Sequence, residues 1–421
     1  MSQGPRIYNL FPLLAGPLAR WGPHLARARA MGFTWIFVNA FHEAGLSGSL
    51  YSVRDYYAID PRLLDGGAAP FARLRGMLAE AGRLGLSVMM DLIINHTAFD
   101  STLVREHPAW FLRDPDGQIV HPGAQDGERR VVWRDLAQVD NAGSPDRAAL
   151  WAYWRDLALH YAGMGFSGFR CDAAYQVPAD LWRELIAAVK AKYPEVLFFA
   201  ETLGCTPQET LATAAAGFDY IFNSSKWWDW RAPWCLEQYA LAAPMVRSIS
   251  FPESHDTRRL AEELKGDRAA VLQRYAFAAT FSTGVMMPVG FEYGFRRRLH
   301  VVETTPEDWE PPTWNLTVAI AAVNRTKGGR AALNDEGPLE PVDLGDPRAF
   351  GFLKRTRDGG DWALVALNRD GEAAARVGAL PELPGAPRLA WTHPFTAASH
   401  PLSGLAGLAL EPSGIVVVHP A

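Results

Sequence analysis

The stretch SGFRCDAA, residues 167–174, sets Arg170 and Asp172 one residue apart on an otherwise apolar segment. A buried charge is expensive unless it is paired or used. The two readings are a structural ion pair and a carboxylate kept ionised for chemistry. Asp172 has company. DLIINH (91–96) supplies Asp91, Asn95 and His96, FFAET (198–202) supplies Glu201, and FPESHD (251–256) supplies His255 and Asp256. Convergent carboxylates with arginine and histidine suit acid–base or nucleophilic work. Glycoside cleavage needs such a set: one carboxylate attacks the anomeric carbon and a second, kept protonated, donates to the leaving oxygen. A third can hold hydroxyls and stabilise the cationic transition state. Arg170 would keep Asp172 ionised, and the apolar run VLFFA before Glu201 favours its neutral form. Any one of these polar residues could simply cap a following helix. Four strand ends of this kind on one face are not what capping produces.

The elements that must bring them together are legible as apolar runs. These are 7–11, 33–41, 88–94, 168–173, 196–202, 220–225, 248–256 and 286–294. Near-continuous apolar runs suit parallel strands buried on both faces. Between them, residues 18–32, 71–85 and 181–194 carry apolar residues at helical spacing and stop at Gly32, Gly85 and Pro194. Strands alternating with helices predict an α/β fold, a (β/α)8 TIM barrel over residues 1–328, with chemistry at the carboxyl ends of the strands. Residues 97–145 are rich in Pro, Gly, Asp and Arg and predict a loop excursion after strand 3, packed over the barrel mouth. From 329 to 421 the texture changes to short alternating segments with Gly, Asp and Pro turns, predicting a C-terminal antiparallel β domain, a β-sandwich.

The bulk properties narrow the function. Among 421 residues, 48% are hydrophobic and 21% charged, with a net charge of −5 from 41 basic and 46 acidic residues. This excludes a disordered chain and gives no footprint for nucleic acid. Three scattered cysteines, Cys171, Cys205 and Cys235, form neither a disulfide framework nor a metal motif. The opening MSQGPRIYNLFPLL has no basic leader or long apolar core, and no run is long enough to span a membrane. The expectation is a soluble, cytoplasmic protein with no membrane partner.

DLIINH, GFRCDAA, FFAET and FPESHD, in this order, resemble the four motifs of glycoside hydrolase family 13, the α-amylase family, and DYYAIDP (55–61) matches another family segment. The resemblance covers about residues 6–330. It implies a retaining enzyme acting on α-glucan or malto-oligosaccharide, with Asp172 as nucleophile, Glu201 as acid/base and Asp256 as third carboxylate. Arg170, His96, His255, Tyr51 and Tyr175 would contact the substrate or position the nucleophile. It implies no cofactor and no catalytic metal. Asn95 resembles a residue that ties the third loop to the excursion, in some members through a structural calcium. Two departures stand out. Where many members have Tyr-Asp, with the Asp gripping a terminal sugar, this chain has Tyr51-Ser52; where Lys-His follows the nucleophile, it has Tyr175-Gln176. GSLYSVR, HPAWFLRDPDGQI, AETLGCTPQETLATAAAGFDY and WNLTVAIAAVNR look more like the maltose-1-phosphate maltosyltransferase branch than like secreted amylases.

Other features have plainer readings beside functional ones. Trp227, Trp228, Trp230 and Trp234 could stack on sugars or roof the barrel. Arg296, Arg297 and Arg298 could bind phosphate or form a solvated loop, and His107 and His121 read as surface residues. Two rival functions remain. A non-catalytic carbohydrate-binding barrel would not need all three carboxylates. A metal-dependent hydrolase would want HxH or HxxxH ligand spacing, which is lacking.

Overall fold

The computed structural model describes residues 3–66, 69–126, 129–378, 383–385, 388–402 and 407–421. Parts of the excursion and of the C-terminal segment therefore lie outside the described residues. Eight parallel strands close a barrel: β1 (Arg6–Leu10), β2 (Trp35–Val38), β3 (Ser87–Leu92), β4 (Gly168–Cys171), β5 (Leu197–Glu201), β6 (Tyr220–Phe222), β7 (Arg247–Ser250) and β8 (Gly284–Pro288). They are wrapped by α1 (Gly22–Ala30), α2 (Pro70–Arg83), α3 (Arg147–Met164), α4 (Ala179–Lys192), α5 (Pro207–Ala214), α6 (Trp234–Ala242), α7 (Arg268–Phe281) and α8 (Thr317–Gly328). Each apolar run of the sequence overlaps one strand. Most runs continue past the strand's carboxyl end, because the residues of the barrel mouth are buried as well. The first helix begins later than its periodicity predicts, since Pro23 sets its first turn.

Side chains alternate along a strand, so every second residue enters the barrel. Ile7, Phe37, Met89, Phe199, Ile249 and Met286 belong to the inner apolar cluster. Two residues further along, β1, β2, β3 and β5 place Asn9, Asn39, Asp91 and Glu201. On β4 the corresponding column is Gly168, Arg170 and then Asp172. Gly168 has no room for a side chain: a Cβ there would lie 2.8 Å from the Leu197 carbonyl oxygen and 3.1 and 3.2 Å from the rings of Trp35 and Phe199. The packed lower layer thus leaves space for polar groups only at the mouth.

Two loop structures frame that mouth. A hairpin of His42–Ala44 with Val53–Ile59, which the sequence reading did not resolve as strands, carries Tyr51 in its turn. Its Tyr56 hydroxyl donates to the carbonyls of Ile93 at 2.8 Å and His96 at 3.2 Å, tying it to the loop after β3. The excursion pairs His96–Ala98 with Leu136–Gln138 and adds a short helix, Thr102–Glu106, and a hairpin of Gly123–Asp126 with Arg129–Val132.

Beyond α8, six antiparallel strands form one sheet: β9 (Leu339–Val342), β10 (Ala349–Arg355), β11 (Trp362–Asn368), β12 (Leu389–His393), β13 (Ala398–Leu402) and β14 (Ile415–Pro420), in the order β9-β10-β11-β14-β12-β13. One face, with Phe352, Val365, Leu367 and Val417, joins the main core against α7. The other packs Leu364, Ala366 and Val418 under Ala375 and Leu410 of a two-stranded ribbon. Among the described residues the sandwich is therefore uneven, because α7 covers the face that a second full sheet would take. The three cysteines are free and buried, and no described helix is long and apolar enough to cross a membrane.

Candidate active site

Arg170 lies across from Asp91 in the β3–β4 register, and its guanidinium gathers three carboxylates. Nη1 donates to Asp91 Oδ1 at 2.7 Å and to Asp172 Oδ1 at 2.6 Å, and Nη2 lies 2.8 Å from Glu201 Oε1. The other oxygen of Glu201 accepts from the backbone N–H of Ala173 at 2.8 Å. Ala173 holds a left-handed backbone, φ 43° and ψ 42°, which is strained for a residue with a Cβ. The strain turns the chain immediately after Asp172 and aims its N–H at Glu201. One cation cannot neutralise three buried carboxylates, and the excess is met by protons. Burial pushes Glu201 up to about 8 and Asp91 up to about 7, against the pull of Arg170. The guanidinium itself stays charged, because the carboxylates outweigh its burial.

A second group closes the floor. The Tyr51 hydroxyl donates to Asp91 Oδ2 at 2.6 Å, accepts from Asn39 Nδ2 at 2.9 Å and lies 2.8 Å from His255 Nε2. Its one proton goes to Asp91, so the imidazole carries its hydrogen on Nε2, which also faces Asp256 Oδ2 at 3.1 Å. The Tyr51 and His255 rings are parallel, at 4° and 5.5 Å between centroids. Burial lowers the pKa of both His255 and His96 and keeps the rings neutral. His255 Nδ1 and both ring nitrogens of His96 are buried with no hydrogen-bond partner. Buried polar groups without partners are rare, and these three border the charge cluster.

A narrow cleft opens over Arg170, Glu201, Ser254, His255 and Asp256, walled by Phe37 and Phe251 among others. Asp256 is the accessible carboxylate, with a side chain 45% exposed against 10% for Asp172 and 19% for Glu201. The structure thus brings Asp172, Glu201, Asp256, Arg170, His255 and Tyr51 into one network, with His96 beside it. Tyr175 lies apart: it lines an open groove with Gln138, Asn141 and Gln176, and its hydroxyl, pushed up to about 12 by burial, accepts from Gln176 Nε2 at 3.1 Å. The sequence reading left out Asn39 and gave Asp91 no role. Their signal was the two-residue step from Phe37 and Met89.

The structure decides between the open readings of the other residues. Ser52 does not face the cleft. It is buried and donates to the Asp135 carbonyl at 3.4 Å, so it braces the excursion. Trp228 and Trp230 are buried against Phe277, and Trp228 also against Phe350, so they seat the C-terminal sheet; only Trp227 is largely exposed. His107 and His121 are half-buried, on Trp110 and against Phe99, because the excursion builds its own small core. The backbone N–H groups of Arg296 and Arg297 bind Glu310, and Arg298 Nη2 donates to the Asp256 carbonyl at 2.7 Å. A calcium at Asn95 does not fit the residues present. Asn95 Oδ1 accepts from Gln138 Nε2 and Asn95 Nδ2 donates to Gln176 Oε1, each at 2.9 Å.

Comparison with known proteins agrees with this geometry. A family model described as the glucanotransferase domain of glycogen debranching enzyme matches residues 6–111. An α-1,4-glucan:maltose-1-phosphate maltosyltransferase of Burkholderia pseudomallei is 28% identical over 92% of this chain and 35% of its own length. The protein of the same description from Rhodospirillum rubrum is 27% identical over 88% of this chain and 57% of its own. The chain thus spans between about a third and just over half of these relatives. Among solved structures, an α-amylase from Lactobacillus plantarum superposes with a TM-score of 0.80 at 20% identity, covering 99% of both chains.

Proposed function

We propose that the chain is an enzyme of the α-amylase family and that it cleaves or transfers α-1,4-linked glucosyl or maltosyl units with retention at the anomeric carbon, a reading supported by the family model over residues 6–111, the maltosyltransferase relatives and the α-amylase fold. The observation that carries this is the pair Asp172 and Glu201 on one guanidinium, with Glu201 biased towards its protonated form. In this reading Asp172 attacks the anomeric carbon while Glu201 gives its proton to the departing oxygen, leaving a glycosyl ester on Asp172. Glu201, now a base, takes a proton from an incoming water or sugar hydroxyl, whose oxygen displaces Asp172. Asp256 and the neutral imidazoles of His96 and His255 hold sugar hydroxyls, and Tyr51 keeps His255 and Asp91 in place. Residues 1–328 are the catalytic unit, with 97–145 inserted, and 329–421 a C-terminal unit seated on α7.

A maltosyl donor carrying phosphate is the second reading, favoured by the description of relatives that align along most of this chain. The test offers maltose 1-phosphate, malto-oligosaccharides and p-nitrophenyl α-maltoside and follows the first product by NMR. An α-configured product is expected from at least one donor. A β-configured first product would overturn retention. Release of inorganic phosphate from maltose 1-phosphate only when glucan is present would select transfer from a sugar phosphate.

A further inference from the structure

We propose that the side-chain amides of Gln138 and Gln176 lock the excursion to the turn that carries Asp172, filling at Asn95 the place of a structural calcium. Gln138 Nε2 lies 2.9 Å from the Asn95 carbonyl oxygen, 2.9 Å from Asn95 Oδ1 and 3.4 Å from the Val139 carbonyl oxygen. Three oxygens thus converge on one nitrogen. An amide NH2 has two hydrogens, and the two short contacts use both. The opposite orientation of the amide would point an oxygen at two others, so the network fixes which way it faces. The Asn95 carbonyl also accepts from the backbone N–H of Val139 at 3.0 Å. A calcium ion asks for about 6–8 oxygens at roughly 2.3–2.6 Å. Here N–H donors stand where it would sit, and the oxygens it would use are already engaged. Among the described residues no group of three or more His, Cys, Asp and Glu side chains could hold a metal ion.

The clasp continues on the other side. Asn95 Nδ2 donates to Gln176 Oε1 at 2.9 Å, and Gln176 Nε2 donates to the Tyr175 hydroxyl at 3.1 Å. Gln176 ends the short turn Ala174–Gln176, which follows Asp172 and Ala173 directly. Gln138 ends the excursion strand Leu136–Gln138. One unbroken chain of amides therefore runs from the excursion, through the loop after β3, to the loop after β4. The link is made by neutral dipoles rather than by charge, so it asks for no ion and is indifferent to chelation.

The test reads melting temperature and calcium content, not activity, and so is independent of the proposed reaction. The full chain is melted with excess calcium and with a chelator, and its calcium is measured after dialysis. Wild type should melt at the same temperature in both and hold no stoichiometric calcium. Gln138→Glu puts a carboxylate against the Asn95 oxygens. Its Tm should fall by several degrees with chelator and recover on adding millimolar calcium. Gln138→Met keeps the length without donors. Its Tm should fall by a few degrees and ignore calcium, and this variant carries the test if Gln138→Glu does not fold. A wild-type Tm that drops on chelation and returns with calcium would overturn the proposal. So would a Gln138→Met protein as stable as wild type.

Discussion

At the barrel mouth one guanidinium faces three carboxylates, whereas at the end of α7 two buried lysines face backbone carbonyls. Lys327 Nζ donates to the carbonyls of Ala279, Ser282 and Leu333 at 2.8, 2.8 and 2.6 Å. Lys354 Nζ donates to the Phe281 carbonyl at 2.7 Å. The carbonyls of Ala279, Phe281 and Ser282 are the open end of α7, where the helix dipole favours a cation, and that of Leu333 comes from the turn after α8. Burial drives both lysines down, Lys354 to about 8, yet the three donors of Lys327 match three acceptors. The mouth is not balanced in this way. Its carboxylates outnumber the cation, and three imidazole nitrogens go without partners. An unmet buried polar group costs roughly 1–3 kcal/mol. Unpartnered buried groups occur elsewhere too, at Thr326 and Arg369 among others, so it is the surplus of carboxylates over cations that sets the mouth apart. The junction matches lysine donors to carbonyl acceptors, and the mouth holds carboxylates in excess of its one guanidinium.

Removing the proposed nucleophile would break that contrast most sharply. Asp172→Ala and Asp172→Asn should lower turnover by at least about 10⁴-fold, as expected when a covalent catalyst is lost. Their melting temperature should hold or rise, since the variants leave fewer carboxylates on Arg170. Steady-state rates on the best donor and scanning calorimetry check both halves. Wild-type rates, or a collapse of stability with the loss of activity, would return Asp172 to the role of a structural partner of Arg170.

The converse test is at the junction. Lys327→Met strips donors from three buried carbonyls and should cost about 3 kcal/mol or more of stability. Turnover per folded molecule should be unchanged, because Lys327 lies at the end of α8, away from the mouth. Denaturant titration followed by rates on the folded fraction separates the two. Equal stability would mean that water satisfies those carbonyls and that the junction is looser than its geometry implies.

The sequence disclosed the barrel because a parallel strand is apolar on both faces, and the eight runs stand out for that reason. It marked Asp172 and Glu201 as candidates because buried charge at the end of such a run is costly enough to need a purpose, and Asp256, 45% exposed, by its place at the end of a run. Tyr51 was visible only through family likeness, since a tyrosine in a turn carries no signal of its own. Asn39 and the Gln138–Asn95–Gln176 clasp escaped because neutral amides are common in loops and become informative only when three loops meet. The orientation of Ser52 was not legible for a related reason. Its position beside Tyr51 is a fact of sequence, but the hairpin turns its side chain to the excursion. The uneven sandwich was hidden because alternation reveals a buried face and does not say whether a sheet or a helix covers it.

The smallest effect is the most specific to the proposed roles. An ordinary glutamate titrates near 4.5, and burial moves Glu201 up to about 8. A general acid works in its protonated form, so between those values Glu201 stays competent where an ordinary glutamate would have lost its proton. The value of kcat/KM on maltotriose should therefore stay level as pH rises through neutrality and fall only above about 8, roughly tenfold per unit once the proton is lost. The leaving group supplies an internal control. With α-maltosyl fluoride the departing fluoride needs less help from a proton, and the alkaline fall in kcat/KM should flatten. Glu201→Gln cannot titrate and should lose the limb on the fluoride altogether. A fall on maltotriose that begins near pH 5 would mean that Arg170 holds Glu201 ionised in the working enzyme. The excess charge at the mouth would then rest on Asp91 instead, and Glu201 could not serve as the acid.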